Sequence, residues 1–389
     1  MRKGIFALES MDEAAEAAAA RKAEEERATP EALAEAETDT AVAETEVEAG
    51  EIESDAAQIE EAEEVRDTVD GLADQVQERV ETEVDAEGKA IPEEDRGISD
   101  EIAETLEVAV EHFRNRLGFK KKVMPALEGF KVKGKRKQVS MEALANLRDL
   151  SARTDSMISI AQEGLLAKIG NSFSLFFATE GKIKKQLEQV SKQFDVKGAK
   201  KDKAEIKEPA WGKQFPTSKT EVDAAEVVAI AKKLLTVDLR ELSKLAAESV
   251  KIAKEAKMDD KVAQLALLEA PHVRALLKKA EELATKAKES AAVEAPKAGV
   301  SFKVLDAAGK KQVVAAITAL LEDKAISEAE NANWEHSVGQ WDENGYHASK
   351  LRQEMSKALY EAARYSYVLY KQRLAIAHAA VKYIAASTK

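Results

Sequence analysis

Five histidines, His112, His272, His336, His347 and His378, are the residues of this chain best suited to proton transfer or metal ligation. No two of them are three or four residues apart, the spacing that would bring both imidazoles together on adjacent turns of a helix, so a zinc-type ligand set is not expected. His336 and His347 share a tryptophan-containing segment with Asp342 and Glu343, and a packed surface loop is the plainer reading of that gathering. Cysteine is absent, which excludes a thiolate nucleophile, thiolate metal ligands and a disulfide framework. Phosphate loops, dinucleotide fingerprints and hydrolase elbows need glycines or a serine at fixed spacing, so that backbone amides can approach an anion or a nucleophile. None occurs in a strand-to-helix setting. Paired carboxylates are too common among 72 Asp and Glu residues to single out an acid and a base. The expectation is a non-enzymatic protein with no catalytic residues, cofactor or metal.

Two other patterns carry chemistry. Lys120, Lys121, Lys122, Lys131, Lys133, Lys135, Arg136 and Lys137 form a cationic segment punctuated by Gly129 and Gly134. Such a segment contacts phosphate by releasing condensed counterions, or is simply a solvated linker. Without a recognised nucleic-acid-binding module, sequence-specific reading of nucleic acid is not expected. The second pattern is a small residue, any residue and glutamate, followed by another small residue. It occurs at Ala7-Leu8-Glu9, Ala126-Leu127-Glu128, Ser140-Met141-Glu142, Ala161-Gln162-Glu163 and Ala178-Thr179-Glu180, giving candidate cleavage after Glu9, Glu128, Glu142, Glu163 and Glu180. A protease reading such a site needs an extended, exposed segment, with the small side chain in one subsite and the glutamate against a cationic one. Chance matches abound in an Ala- and Glu-rich chain, so position carries the case: Ala126 to Gly129 and Ser140 to Ala143 flank the cationic segment.

That position coincides with a reversal of charge. Residues 1–100 hold 33 Asp+Glu against 9 Lys+Arg, whereas the remaining residues hold 39 against 50. An acidic head followed by a basic body suggests two parts with different tasks. The first hundred residues contain a single aromatic, Phe6, and supply little core. No apolar run reaches the roughly 18 residues of a membrane span, and Met1 to Leu8 is too short for a signal-peptide core, so a soluble chain without a membrane partner is expected.

The elements that position these residues read as helical. Residues 1–97 form an acidic, low-complexity, propeptide-like region, disordered or loosely helical because no strong apolar stripe holds it to anything, with residues 68–80 its best local helix. Residues 98–142 comprise a helix and the basic linker: Ser99 or Asp100 caps a stripe of Ile102, Leu106, Val110, Phe113 and Leu117 that Gly118 ends. A helical segment over 143–195 begins with Leu144, Leu147 and Leu150. A Lys-, Gly- and Pro-containing linker spans 196–220. A helical hairpin covers 221–292, its first helix running from about Val222 to Lys257 and its second kinked or divided at Pro271. The C-terminal helical domain, 300–389, has short strands at most near Val300 to Leu305, then helices around Gln312 to Leu321 and Ala348 to Ala386. The last of these gathers Tyr360, Tyr365, Tyr367 and Tyr370, which read as core or interface in preference to a base-stacking platform. Heptads are not sustained enough for one long coiled coil. The fold class is mainly α, with helical bundles or hairpins behind the acidic region.

The opening Gly4-Ile5-Phe6-Ala7-Leu8-Glu9-Ser10-Met11-Asp12-Glu13 and the junction Val139-Ser140-Met141-Glu142-Ala143-Leu144 resemble those of internal head proteins of large tailed bacteriophages, in particular phiKZ-like giant phages. The resemblance covers the organisation of about the first 145 residues. It implies an acidic propeptide removed by the prohead protease after glutamate. It further implies a body retained in the virion interior, after assembly in the host cytoplasm, beside other head proteins and in non-specific contact with packaged DNA. From residue 143 onward 40 Lys+Arg face 33 Asp+Glu, a balance too mild for strong DNA condensation. Within the same class, a scaffold or core protein lost after assembly is the alternative. From another class comes a cellular helical adaptor, whose acidic tail binds a basic partner, mimics nucleic acid or autoinhibits the basic loop.

Overall fold

A computed structural model describes residues 30–85, 88–118, 136–200, 204–255, 261–292, 299–322 and 350–388. The chain is mainly α-helical. Helix α1, Pro30–Glu81, is followed by α2, Asp100–Arg116, and by α3, Arg136–Lys197, which runs unbroken for 62 residues. Strand β1, Glu205–Lys207, a 3-10 turn over Ala210–Gln214 and β2, Glu221–Val222, precede α4, Ala224–Leu234, α5, Glu241–Glu255, α6, Lys261–Leu268, and α7, Pro271–Ala291. Strand β3, Ser301–Lys303, then leads to α8, Ala307–Glu322, and α9, Lys350–Ser387.

The acidic region departs from its expected looseness. From Pro30 onward it forms a single helix held against α3 by a stripe of small residues. Thr38, Val42, Thr45, Ala49, Ile52, Ala56 and Ile59 alternate at four- and three-residue steps and are all buried. Ala62, Val65, Val69, Ala73 and Val76 continue the stripe. Small residues let two helix backbones approach closely, and the buried threonines satisfy their hydroxyls within the helix: Thr38 Oγ1 donates to the Ala34 carbonyl at 2.7 Å and Thr45 Oγ1 to that of Val42 at 2.7 Å. The seam is apolar enough to bury, yet Ala and Thr give it little contrast against the surrounding glutamates.

Two apolar clusters are strung along α3. The smaller joins Val65, Val69 and Val76 of α1 with Leu106 and Val110 of α2 and Leu144, Leu147 and Leu150 of α3. Helix α2 starts as expected, with the Ser99 hydroxyl accepting from the Ile102 amide, and ends at Gly118, whose φ of +72° suits glycine. Gly97 seats this corner: at φ +114°, a Cβ there would lie 2.1 Å from Ser140 Oγ, the group that accepts the Ile98 amide at 2.7 Å.

The larger cluster surrounds α9, whose residues from Arg373 to Val381 are buried without interruption, as befits a central helix. Its tyrosines are core. Phe176 stacks on Tyr367 at 4.7 Å between ring centroids and meets Tyr370 edge-on at 5.2 Å. Residues 196–220, read from sequence as a linker, supply part of this core. Trp211 and Phe215 pack on Phe302 at 4.6 and 5.3 Å, and Phe302 meets Tyr383 at 5.3 Å. Phe302 sits at the centre of a three-stranded sheet ordered β1-β3-β2, paired with Ile206 antiparallel and with Val222 in parallel. Gly212 is required by closeness: a Cβ would come within 2.8 Å of the Phe302 ring.

Pro271 occupies the first turn of α7 and divides the second hairpin segment, as its missing amide dictates. The first segment also divides, which its periodicity does not show. Arg373, fully buried, donates to the carbonyls of Leu234 at 2.6 Å and Val237 at 2.8 Å, and so satisfies the end of α4 from a distant part of the chain.

Candidate interaction groove

Helix α1 lies antiparallel to both α3 and α9 in the groove between them. The walls carry cations at a fixed interval. Lys357, Arg364, Lys371 and His378 of α9 stand seven residues apart, which is about 10.5 Å per step along a helix. Each faces a carboxylate of α1: Lys357 meets Glu63 at 3.9 Å, Arg364 pairs with Glu60, Lys371 meets Glu53 at 3.7 Å, and His378 lies 2.9 Å from Asp39. Lys382 adds a contact to Asp39 at 2.7 Å. On the α3 wall, Lys168 Nζ holds Glu51 at 3.0 Å and Asp55 at 3.1 Å, Ser172 Oγ donates to Glu48 at 2.8 Å, and Gln162 donates to Glu63 at 3.1 Å. Farther along, the polarity reverses, with Arg66 of α1 reaching Asp155 of α3 at 3.3 Å.

The division of labour follows from magnitudes. Partly exposed ion pairs contribute about 0–1 kcal/mol each, whereas burying a Val or Ile side chain is worth about 1.5–3 kcal/mol. The apolar stripe therefore holds α1 in place, and the charges fix its direction and register. Titration reflects the same setting. The Glu51 hydrogen bond, with Asp55 beside it, pushes the Lys168 ammonium up. Burial pushes the Asp155 carboxyl up against the pull of Arg66. Burial, with Lys382 alongside, holds the His378 imidazole below its ordinary range despite Asp39. Burial also raises Tyr360 to about 12.

Below the groove, two carboxylates are fully committed to structure. Glu163 is 8% exposed and binds the Arg352 guanidinium in a buried pair, accepting also from Ser356 Oγ at 3.0 Å. Glu180, 3% exposed, accepts from the Tyr370 hydroxyl at 2.8 Å and from Lys184 at 2.6 Å. Both were candidate cleavage residues. In the folded chain the peptide bonds after them lie in mid-helix and reach an extended conformation only if α3 unwinds and its core opens. Glu142 also lies within α3, one to two turns from its start, beside the half-exposed Met141. Glu9 and Glu128 lie outside the described residues.

The cationic segment divides similarly. Lys120, Lys121, Lys122, Lys131, Lys133 and Lys135 lie outside the described residues, while Arg136 and Lys137 open α3 and Lys137 pairs with Glu93. The cations that meet the acidic helix are thus those of α3 and α9, with Arg116 of α2 on Glu61. Sequence reading missed them, although the seven-residue interval from Lys357 to His378 was present to be found.

Two clefts straddle the seam. One, of about 420 Å³, is bounded by Asp55 and Ile59 of α1, Arg116 at the end of α2, and Ile158, Gly164 and Lys168 of α3. The other, of about 300 Å³, lies among Arg66, Asp67, Asp70, Asp155 and Lys357. Neither contains a histidine. Among the described residues no group of three or more His, Asp or Glu side chains is arranged to hold a metal ion, and no helix is long and apolar enough to cross a membrane. His336, His347, Asp342 and Glu343 lie outside the described residues. The arrangement recognises an acidic, heptad-patterned helix. Comparison of the chain with protein-family models, with curated proteins and with solved structures returns no match.

Proposed function

We propose that this chain is the precursor of a non-enzymatic bacteriophage virion protein, an internal head protein whose acidic N-terminal part is removed by the prohead protease while the body stays in the capsid. One observation carries the reading: the reversal of charge falls on the connection between α2 and α3. Residues 1–128 carry 38 Asp+Glu and 14 Lys+Arg, and residues 129–389 carry 34 and 45. Scission after Glu128 would cut the connection between α2 and α3 without crossing any described helix. The acidic helix would until then cover the cations of α3 and α9, keeping a basic body off nucleic acid during assembly. Loss of that helix would also remove negative charge that repels incoming DNA.

The ion-pair ladder itself favours a second reading, an adaptor that stays full length and is autoinhibited by its own acidic helix. The N-terminus and intact mass of the protein from its native source separate the two. A start at Gly129 or Ala143, with the same chain uncut when expressed alone, is the expected result; a native start at Met1 overturns the precursor reading and leaves the adaptor.

A further inference from the structure

Of the three candidate cleavage motifs within α3, Ser140-Met141-Glu142 lies nearest a helix end, in the second turn of Arg136–Lys197. The first amides of a helix lack intrahelical partners, and helices ordinarily open first at their ends. Met141 is half-exposed there. Yet the motif is closed on either side of it. Ser140, fully buried, donates its hydroxyl to the Arg136 carbonyl at 2.7 Å and accepts the Ile98 amide at 2.7 Å, so a segment 42 residues earlier is pinned to the helix at one oxygen atom. That approach requires glycine at position 97, because a Cβ there would collide with the Ser140 hydroxyl. Ile98 is itself buried and shares a cluster with Val139, Ala143 and Leu144. One oxygen of the Glu142 carboxylate is enclosed without a hydrogen-bond partner, and it regains solvation when this turn opens. A protease that cuts after Glu142 needs the segment extended, with the Ser140 side chain in a subsite of its own. The hydroxyl that would enter that subsite is the one that holds Ile98.

We propose that Gly97, Ile98 and Ser140 form a latch that withholds the Ser140-Met141-Glu142 motif from proteolysis, so that a cut after Glu142 follows the opening of the corner between residues 97–99 and the start of α3. The motifs at Glu163 and Glu180 lie outside the reach of this latch, in core that opens only with the fold. A precursor built this way is cut in order: Gly129 is the new start while the corner is intact, and Ala143 becomes the start once the corner is dismantled. The order rests on the precursor reading. The latch does not, and it is tested without the native protease.

Full-length chains are treated briefly with a glutamate-specific endoprotease. Mass spectrometry follows the fragment that starts at Ala143 at early times, together with those that start at Gly164 and Gly181. When opening is fast relative to cutting, the rate reports the population of the open form. Ser140→Ala leaves the buried Ile98 amide without its acceptor and is expected to raise the early rate at Glu142 about tenfold. Gly97→Ala, which drives a methyl group into the Ser140 hydroxyl, is expected to raise it at least as much. Lys137→Ala removes a partly exposed pair with Glu93 across the same corner and is expected to change the rate by less than about twofold. The rates at Glu163 and Glu180 stay at their wild-type values in all three variants. An unchanged rate at Glu142 in both Ser140→Ala and Gly97→Ala overturns the proposal. So does a Lys137→Ala rate as high as theirs, which would show that any loosening of the corner suffices. An equal rise at Glu163 and Glu180 overturns it too, because the opening would then belong to the whole fold.

Discussion

Helices α1 and α9 both lie along α3, and they hold to it by opposite means. Helix α9 presents Tyr360, Tyr367, Tyr370 and Leu374 to a deep aromatic core and sets two buried polar side chains on carboxylates of α3, Arg352 on Glu163 and Tyr370 on Glu180. Helix α1 presents Ala, Thr and Val, with carboxylates on the flanks that meet half-exposed cations. A buried charge whose partner is removed costs about 3–5 kcal/mol, which fixes one arrangement of α3 and α9. A partly exposed pair costs little to open, so on α1 the charges set direction and register while the apolar stripe holds the helix in place. The difference teaches that one helix can hold one neighbour by large aromatic side chains and buried pairs, and another by small side chains flanked by partly exposed ones.

The comparison breaks most visibly in the core. Phe176→Ala is expected to cost about 3–5 kcal/mol in urea unfolding, since it removes the ring that stacks on Tyr367 and meets Tyr370. Ile52→Ala, on the fully buried seam of α1, is expected to cost about 2 kcal/mol. Its signature differs: amide exchange should quicken across α1 and α2 while α9 keeps its protection. Equal loss of protection in both helices would show a single cooperative unit and erase the distinction.

Smaller changes sharpen it. Lys371→Ala, which removes one rung opposite Glu53, should lower stability by less than about 1 kcal/mol, and the deficit should vanish at high salt. A deficit that persists in high salt would mean that the lysine stem, not its charge, holds the seam. The smallest effect concerns pH. His378 faces Asp39 and Lys382, and its imidazole titrates below the ordinary range. The folded state therefore binds fewer protons than the unfolded state as pH falls through about 6.5, and stability declines there. His378→Gln should flatten that part of the stability profile while leaving stability above pH 7.5 nearly unchanged; an unaltered slope would assign the acid sensitivity to other groups.

What the sequence displayed depended on side-chain size. Helix α2 was legible because Ser99, the Ile102 to Leu117 stripe and Gly118 mark its start, face and stop in residues of strong contrast. The strand at Ser301–Lys303 and the division at Pro271 were legible for the same reason. Helix α1 was not, since its buried positions are largely Ala and Thr, which also populate unpacked segments. The split between α4 and α5 was hidden because the residue that ends α4, Arg373, comes from α9. Trp211 and Phe215 were placed in a linker because their partner Phe302 lies about ninety residues onward. Of the groove, the acidic face was visible as net charge, while its cationic wall was spread over α3 and α9 and emerged only once those helices lay side by side.

The unbroken course of α3 has a hydrodynamic consequence. At 1.5 Å per residue its 62 residues extend about 93 Å. A compact chain of 389 residues has a radius of gyration of about 21 Å, yet a straight rod of that length has about 27 Å on its own. Solution scattering should therefore report a particle well above the compact value, and the protein should sediment slowly for its 42.4 kDa.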